Sequence, residues 1–260
     1  MTGTLSAETL DIDLGNSAMK YRFDGRVGRI VHQPNGEVDV DGLRRELRCS
    51  VASAVTRIRV CSVLNSERTR RFEAQMLKNW GVALEFARSL PVVGFVKNGY
   101  REPSSLGVDR WMVVLAAYHR CSGTALVIDL GTAITLDYIR SDGQHLGGYI
   151  VPGTHLSQRA LLTDTASIDA SANAYINAFA GATELLLQPG SSTQEAVSRG
   201  ALLMVRNLIE FEVERLRALY RQSPTVFLCG GGAPEISSHL QCSHEMLPNL
   251  VLDGLDLALP

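Results

Sequence analysis

At 260 residues the chain is long enough for one or two domains, each with an ordinary apolar core and no need of a metal or disulfide staple. Hydrophobic residues make up 45% and charged residues 20%, which argues against a disordered chain. Its 25 basic and 27 acidic side chains leave a formal charge of −2, which argues against a globally basic nucleic-acid binder.

The opening stretch MTGTLSAETLDID has neither a basic start nor an apolar core, so no secretion signal is expected. The longest apolar stretches, such as Trp111–Tyr118, fall short of the roughly 18–20 residues that a bilayer span needs, so no membrane partner is expected. Cys49, Cys61, Cys121, Cys229 and Cys242 are odd in number and scattered, with no CxxC pair. They read as reduced thiols in a cytoplasmic protein rather than as a disulfide or zinc framework.

In chain order, Leu10–Leu14 reads as a strand that breaks at Gly15-Asn16-Ser17, and Ala18–Phe23 alternates as a returning strand. Asp109–Arg120 carries Trp111, Val114, Leu115 and Tyr118 at helical spacing. Ala125–Leu130 is a second apolar strand, broken at Gly131-Thr132, and Ala133–Ile139 returns with period-two alternation. Thr193–Tyr220 is a long helix whose face runs Val197, Ala201, Val205, Ile209, Val213, Leu216 and Tyr220, and Ser192 to Glu195 form a capping box at its start. Thr225–Leu228 is a third apolar run that ends in Cys229-Gly230-Gly231-Gly232. Mixed strands and helices place the chain in the α/β or α+β class. One strand–Asp-Leu-Gly–strand unit is written twice, with Asp13 and Asp129 separated by 129 − 13 = 116 positions. The repeat sets an expected domain boundary near residue 121, giving domains 1–121 and 122–260.

The chemistry lies in the turns. A strand ending in glycine lets a phosphate approach the backbone closely. Around it, Asn16 and Ser17 offer neutral hydrogen-bonding groups, Asp13 a carboxylate for hydrated Mg²⁺, and Lys20 a cation for phosphate. An ordinary hairpin turn would use the same residue types. Its repetition at Asp129-Leu130-Gly131-Thr132-Ala133 favours a pair of phosphate loops facing a nucleotide across a cleft. Walker and Rossmann glycine patterns are absent. Between the two units, Asn98–Arg110 forms a loop feeding a helix, where free N–H groups and Arg110 suit an anionic substrate. Asp109 is either a general base for a substrate hydroxyl or a carboxylate that complements the helix dipole.

Asp13 with GNS, GVDR at Gly107–Arg110, DLGTAITLD at Asp129–Asp137, GGYIVPG at Gly147–Gly153 and LPNLVLDGL at Leu247–Leu255 occur in one order. In these motifs the chain resembles the type III pantothenate kinases over nearly its whole length. The resemblance implies a duplicated RNase H-like fold of the actin-like, sugar-kinase-like kind, with two similar halves flanking a nucleotide cleft. The implied activity is ATP-dependent phosphorylation of pantothenate, the entry step to coenzyme A.

Residue by residue, the resemblance implies that Asp13, Leu14, Gly15, Asn16, Ser17, Ala18, Met19 and Lys20 form the first phosphate loop. Thr132 would belong to the second, and Asp109 would be the general base. Tyr100, Gly107, Val108, Arg110 and Thr193 would contact pantothenate, Thr193 near a dimer interface. Asp129 would hold a monovalent cation, K⁺ or NH4⁺, beside Mg²⁺-bound ATP, in a homodimer. Ser17 stands where many members carry threonine. Gly232 replaces an aspartate usual near the last strand, so no nucleotide contact is assigned to it. The rival readings are a non-catalytic regulatory factor of the same family and another small-molecule kinase or phosphatase on the fold. The six histidines lack ligand spacing and read as packing or surface residues.

Overall fold

A computed structural model describes residues 9–33, 35–47, 55–121, 123–164 and 188–260. The chain divides into two compact units. One comprises residues 1–119, 142–144 and 249–260, and the other 120–141 and 145–248. The expected boundary at 121/122 left the chain's last residues with the second half, whereas 249–260 pack within the first unit.

The first unit is built on a sheet of β1 (Thr9–Leu14), β2 (Ala18–Phe23), β3 (Arg26–Val31), β4 (Arg57–Ser62) and β5 (Leu84–Phe86), in the spatial order β3-β2-β1-β4-β5. Strands β1, β2 and β3 pair antiparallel, and β1, β4 and β5 pair parallel. The β2–β3 turn is Asp24-Gly25, both at positive φ (48° and 70°), the backbone that a tight two-residue hairpin requires. Alternation in β2 buries Met19, Tyr21 and Phe23 on one face. They join Leu10, Ile12, Ile58 and Val60, together with Leu43 of α1 (Val40–Glu46) and Phe72 and Met76 of α2 (Ser66–Trp80). Helix α2 is bounded by recognisable chemistry: the Asn65 side chain accepts from Arg68 N at its start, and left-handed Gly81 closes its end. A short hairpin of β6 (Val92–Val93) and β7 (Val96–Lys97) leads to α3 (Val108–Arg120). All residues of α3 from Arg110 to Ala117 are buried.

The second unit repeats the plan. Its strands are β8 (Ala125–Leu130), β9 (Ala133–Ile139), β10 (His145–Pro152), β11 (Thr225–Cys229) and β12 (Glu245–Met246), ordered β10-β9-β8-β11-β12. Position by position, the antiparallel and parallel pairings match those of the first sheet. Central strand β8 is apolar on both faces, as a strand covered on both sides should be. The unit also holds α4 (Thr154–Asp164), α5 (Thr193–Tyr220) and α6 (Ala233–Ser237). Leu202, Val205, Ile209, Val213 and Leu216 of α5 pack on Leu126, Ile128, Leu136, Val226 and Leu228 of the sheet. Burying a residue of this size from water contributes roughly 1.5–3 kcal/mol, so this face holds the helix far more firmly than helix propensity alone would. Buried Glu212 on the same helix accepts from the Tyr138 hydroxyl at 2.8 Å and from Arg215 Nε at 2.7 Å. The chain closes with α7 (Leu250–Ala258) in the first unit.

Cys61 and Cys229 are buried free thiols, Cys121 and Cys242 are half-buried, and Cys49 lies outside the described residues. No described helix is long and apolar enough to cross a membrane.

Candidate active site

In the first unit, Asp13 lies on β1 opposite Lys20 of β2, which makes them cross-strand neighbours. Between them the turn is closed by Gly15 N donating to Ala18 O at 3.1 Å, with Asn16 and Ser17 exposed at its tip. A Cβ on Gly15 would crowd that same carbonyl at 3.2 Å. Leu14 and Met19 are fully buried and anchor the turn from below. Buried His32, just past β3, clasps the turn from the side. Its Nε2 donates to Gly15 O at 2.8 Å, and its backbone N donates to Ser17 O at 3.0 Å. Burial holds the His32 pKa below the ordinary histidine value, with Arg68 and Arg29 acting in the same direction and the Gly15 bond opposing. The ring is therefore a neutral brace. The sequence reading had placed His32 among packing residues, and no local pattern reveals that it returns to this turn.

Also in the first unit, Asn98 shapes the loop that delivers Tyr100. Its side chain donates to Pro103 O and accepts from Tyr100 N at 3.0 Å. A 3-10 turn at Pro103–Ser105 leads to Gly107, whose carbonyl accepts the first helical bond, from Trp111 N at 3.0 Å. Half-buried Asp109 sits in the first turn of α3, where its Oδ1 accepts from Arg110 N at 2.8 Å. A side chain on Gly107 would come within 2.8 Å of that carboxylate oxygen, so glycine keeps the approach to Asp109 open. Arg110 is only 4% exposed. Its guanidinium lies 5.5 Å from the Tyr100 ring centre, and Nη1 donates to the Tyr100 hydroxyl at 2.6 Å. Of the expected substrate residues, Tyr100 meets Arg110, and Gly107, Val108 and Arg110 flank Asp109 along the chain at the start of α3. A buried guanidinium with one tyrosine as a wall is suited to a carboxylate.

In the second unit, Asp129 occupies on β8 the place that Asp13 holds on β1, and it pairs with Thr135 and Cys229. The turn is closed in the same way, by Gly131 N donating to Ala133 O at 3.2 Å, with Thr132 exposed. Here backbone does the bracing. Gly153 N donates to Thr132 O at 3.0 Å, and Gly232 N donates to Leu130 O at 2.8 Å. A Cβ on Gly153 would lie 2.6 Å from both Gly131 O and Thr132 O. Gly230 has a φ of 86°, and a Cβ there would lie 2.6 Å from Leu130 C and O and closer still to Asp129 Oδ1. The absent side chain lets the Gly230 backbone pack directly against Leu130 and the half-buried Asp129 carboxylate, where a methyl group would not fit. The sequence signal was the Gly230–Gly232 run, read only as a turn. Gly232 itself serves as the N-cap of α6.

Thr193 is the first residue of α5 and is exposed, next to the cap Ser192, whose Oγ accepts from Glu195 N at 3.2 Å. Glu195 in turn accepts from Ser191 N and Oγ at 2.7 and 2.8 Å, so the Ser192 half of the expected capping box forms and only the reciprocal bond lies one residue outward. Among the described residues no three His, Cys, Asp or Glu side chains cluster as metal ligands. A cation at Asp13 or Asp129 would complete its shell from phosphate, backbone and water oxygens.

A family model described as type III pantothenate kinase matches residues 9–215. A type III pantothenate kinase of Pseudomonas putida strain F1 is 38% identical over 255 residues, covering 96% of this chain and 98% of the relative. One from Pseudomonas aeruginosa is 37% identical over 251 residues, with the same coverage. Among solved structures, a Campylobacter jejuni protein whose description places it in the Baf family of transcriptional activators aligns at a TM-score of 0.58 and 19% identity, covering 95% of each chain. MreB 5 of Spiroplasma citri, solved with AMPPNP, aligns at 0.51 and 12% identity, covering 97% of this chain and 96% of that one. These two likenesses speak for the duplicated actin-like fold alone. Its matching motifs, its two equivalent turns and its relatives together show that the chain belongs to the type III pantothenate kinase family.

Proposed function

We propose that the protein transfers the γ-phosphoryl group of ATP to the primary hydroxyl of pantothenate, the first step toward coenzyme A. The observation that carries this reading is the grouping of Tyr100, Gly107, Asp109 and Arg110 at the start of α3. A carboxylate-binding guanidinium next to a general base suits a substrate with a carboxylate at one end and a hydroxyl to be activated at the other. Asp109 takes the hydroxyl proton as the oxygen attacks phosphorus. The new P–O bond forms as the β–γ bridging bond breaks, and ADP leaves. Phosphoryl transfer depends chiefly on positioning and charge neutralisation, which the Asp13–Lys20 turn and Thr132 supply to the phosphates.

Mg²⁺ travels with ATP near Asp13. Asp129 would hold K⁺ or NH4⁺, a cation that would offset phosphate charge. A second copy of the chain is the proposed partner. Met204, Phe211 and Leu219 lie exposed along α5, with Phe211 64% exposed, and Thr193 begins the same helix. Reduced thiols and dependence on ATP fit a cytoplasmic setting.

Initial rates with MgATP, pantothenate and K⁺ test the reading, beside an Asp109→Asn variant. Loss of roughly 10²–10⁴-fold in kcat is expected, the usual range for removing a general base. No turnover by the unaltered protein, or an undiminished rate in the variant, would defeat it.

A further inference from the structure

The closing motif Leu247–Leu255 contains no residue placed at the reacting groups, yet its helix touches both elements that carry them in the first unit. On one side α7 meets the sheet. Arg22 of β2 and Arg59 of β4 flank Asp11 on β1, where Arg22 Nη2 and Arg59 Nε reach its carboxylate at 2.8 and 2.7 Å. The same guanidinia extend to α7. Arg22 pairs with Asp253 at 2.9 Å and with Asp256 at 2.8 Å, and it donates to Leu252 O at 2.9 Å. Arg59 pairs with Asp256 at 2.5 Å and donates to Leu259 O at 2.8 Å. Asp11 is 2% exposed and Arg59 4%. Asp11 lies two residues before Asp13 on the same strand.

On its other side α7 meets the helix of the general base. A Cβ on Gly254 would lie 2.6 Å from Met112 C and 2.7 Å from Met112 Cα, and closer still to Met112 O. Met112 is three residues beyond Asp109, one turn along α3. These are backbone atoms, which cannot swing aside as a side-chain tip can. The contact therefore fixes how near the two helices lie. Buried ion pairs stabilise weakly for the desolvation they require, but they are demanding of geometry. A network of five charged side chains across three strands and a helix is well suited to fixing position.

We infer that α7 is the spacer that sets the Asp109 helix against the Asp13 strand, with Gly254 and Asp253 as positioning residues. The inference rests on the kinase reading, in which Asp109 is the base. A misplacement of roughly 1 Å far from the chemistry can cost about 10²-fold in rate, so a single added methyl at residue 254 should be felt at Asp109.

Gly254→Ala and Asp253→Asn are measured beside the unaltered protein, with thermal melting, kcat, both KM values, and hydrogen exchange of the Val108–Met112 amides. For Gly254→Ala, kcat should fall by roughly tenfold or more, with KM for ATP within about twofold and faster exchange in the first turn of α3. Asp253→Asn should move the same readings less, and Asp253→Glu should restore most of the loss. If Gly254→Ala does not fold, the Asp253 pair decides. A lowered melting point with unchanged kcat in the folded protein and unchanged exchange at 108–112 would overturn the inference. No turnover by the unaltered protein would instead defeat the kinase reading, while the exchange arm would still decide whether α7 holds α3.

Discussion

The two Asp-Leu-Gly turns have the same strand pairing, and each is closed by its glycine N–H, which reaches Ala18 O in the first and Ala133 O in the second, but they are braced by different means. At Gly15 the brace is a side chain, His32, reaching in from the end of β3. At Gly131 it is bare backbone, with Gly153 on Thr132 O, Gly232 on Leu130 O, and Gly230 against Asp129. A side-chain brace can be trimmed with the backbone left in place. At Gly153 and Gly230 the glycine brace leaves no room for a Cβ. One duplicated unit therefore contains a tolerant turn and an intolerant one, and substitution should separate them.

The largest effect is expected at Gly230. Alanine there would carry both a left-handed backbone and a Cβ pressed on Asp129 and Leu130. Left-handed strain alone costs about 1 kcal/mol or more, and a displaced Asp129 carboxylate would no longer serve the cation proposed for it. Gly230→Ala should lower kcat by at least roughly tenfold and abolish stimulation by K⁺ or NH4⁺, read as rate against cation concentration. Full activity with normal cation dependence would remove Asp129 from the cation site.

A smaller effect is expected at His32. His32→Ala removes one hydrogen bond to Gly15 O and leaves β1 and β2 in register. Losing a net hydrogen bond of about 0.5–1.5 kcal/mol from the turn proposed to hold phosphate should raise KM for ATP by roughly two- to tenfold, with KM for pantothenate little changed. Equal losses at the two turns would mean that the bracing difference has no bearing on function.

The contrast also marks what the sequence made legible. β2 and α5 span the residues that alternation and helical spacing assigned, and Gly15 and Gly131 were readable because the strand–Asp-Leu-Gly–strand unit occurs twice, whereas one such turn alone matches an ordinary hairpin. Asp109 was readable as a first-turn carboxylate beside a glycine. Tyr100 came only through resemblance, Arg110 also through its own chemistry, and their contact across ten residues was in neither reading. The His32 clasp, the close packing of Gly230 on Asp129 and the Arg22–Asp253 pair join residues far apart in the chain. For that last pair the separation is 231 residues, which no window of periodicity spans. The buried Asp11 reads as a flaw in an apolar strand until Arg22 and Arg59 are seen beside it. The return of α7 to the first unit was missed for the same reason, since the duplicated pattern in sequence divides the chain once and topology divides it again.

The smallest expected effect is on pH dependence, and it draws the two units apart once more. His32 in the first unit and His239 in the second are both buried, and burial lowers the pKa of each below the ordinary histidine value of about 6.5. Above that value both states of each ring are neutral, and neither contributes a slope. As pH falls through about 6.5 the unfolded chain takes up protons that the native rings refuse, so stability is lost until the depressed native pKa is reached. The loss is at most about 1.4 kcal/mol per pH unit for each ring. Chemical denaturation at pH 7.5 and 5.5 should show it, and His32→Gln and His239→Gln should each flatten the slope in part. His32→Gln keeps a donor within reach of Gly15 O, so it should flatten the slope while sparing KM for ATP. A slope unchanged by both substitutions would place the acid sensitivity in carboxylates instead, and the neutral brace at the first turn would lose its support.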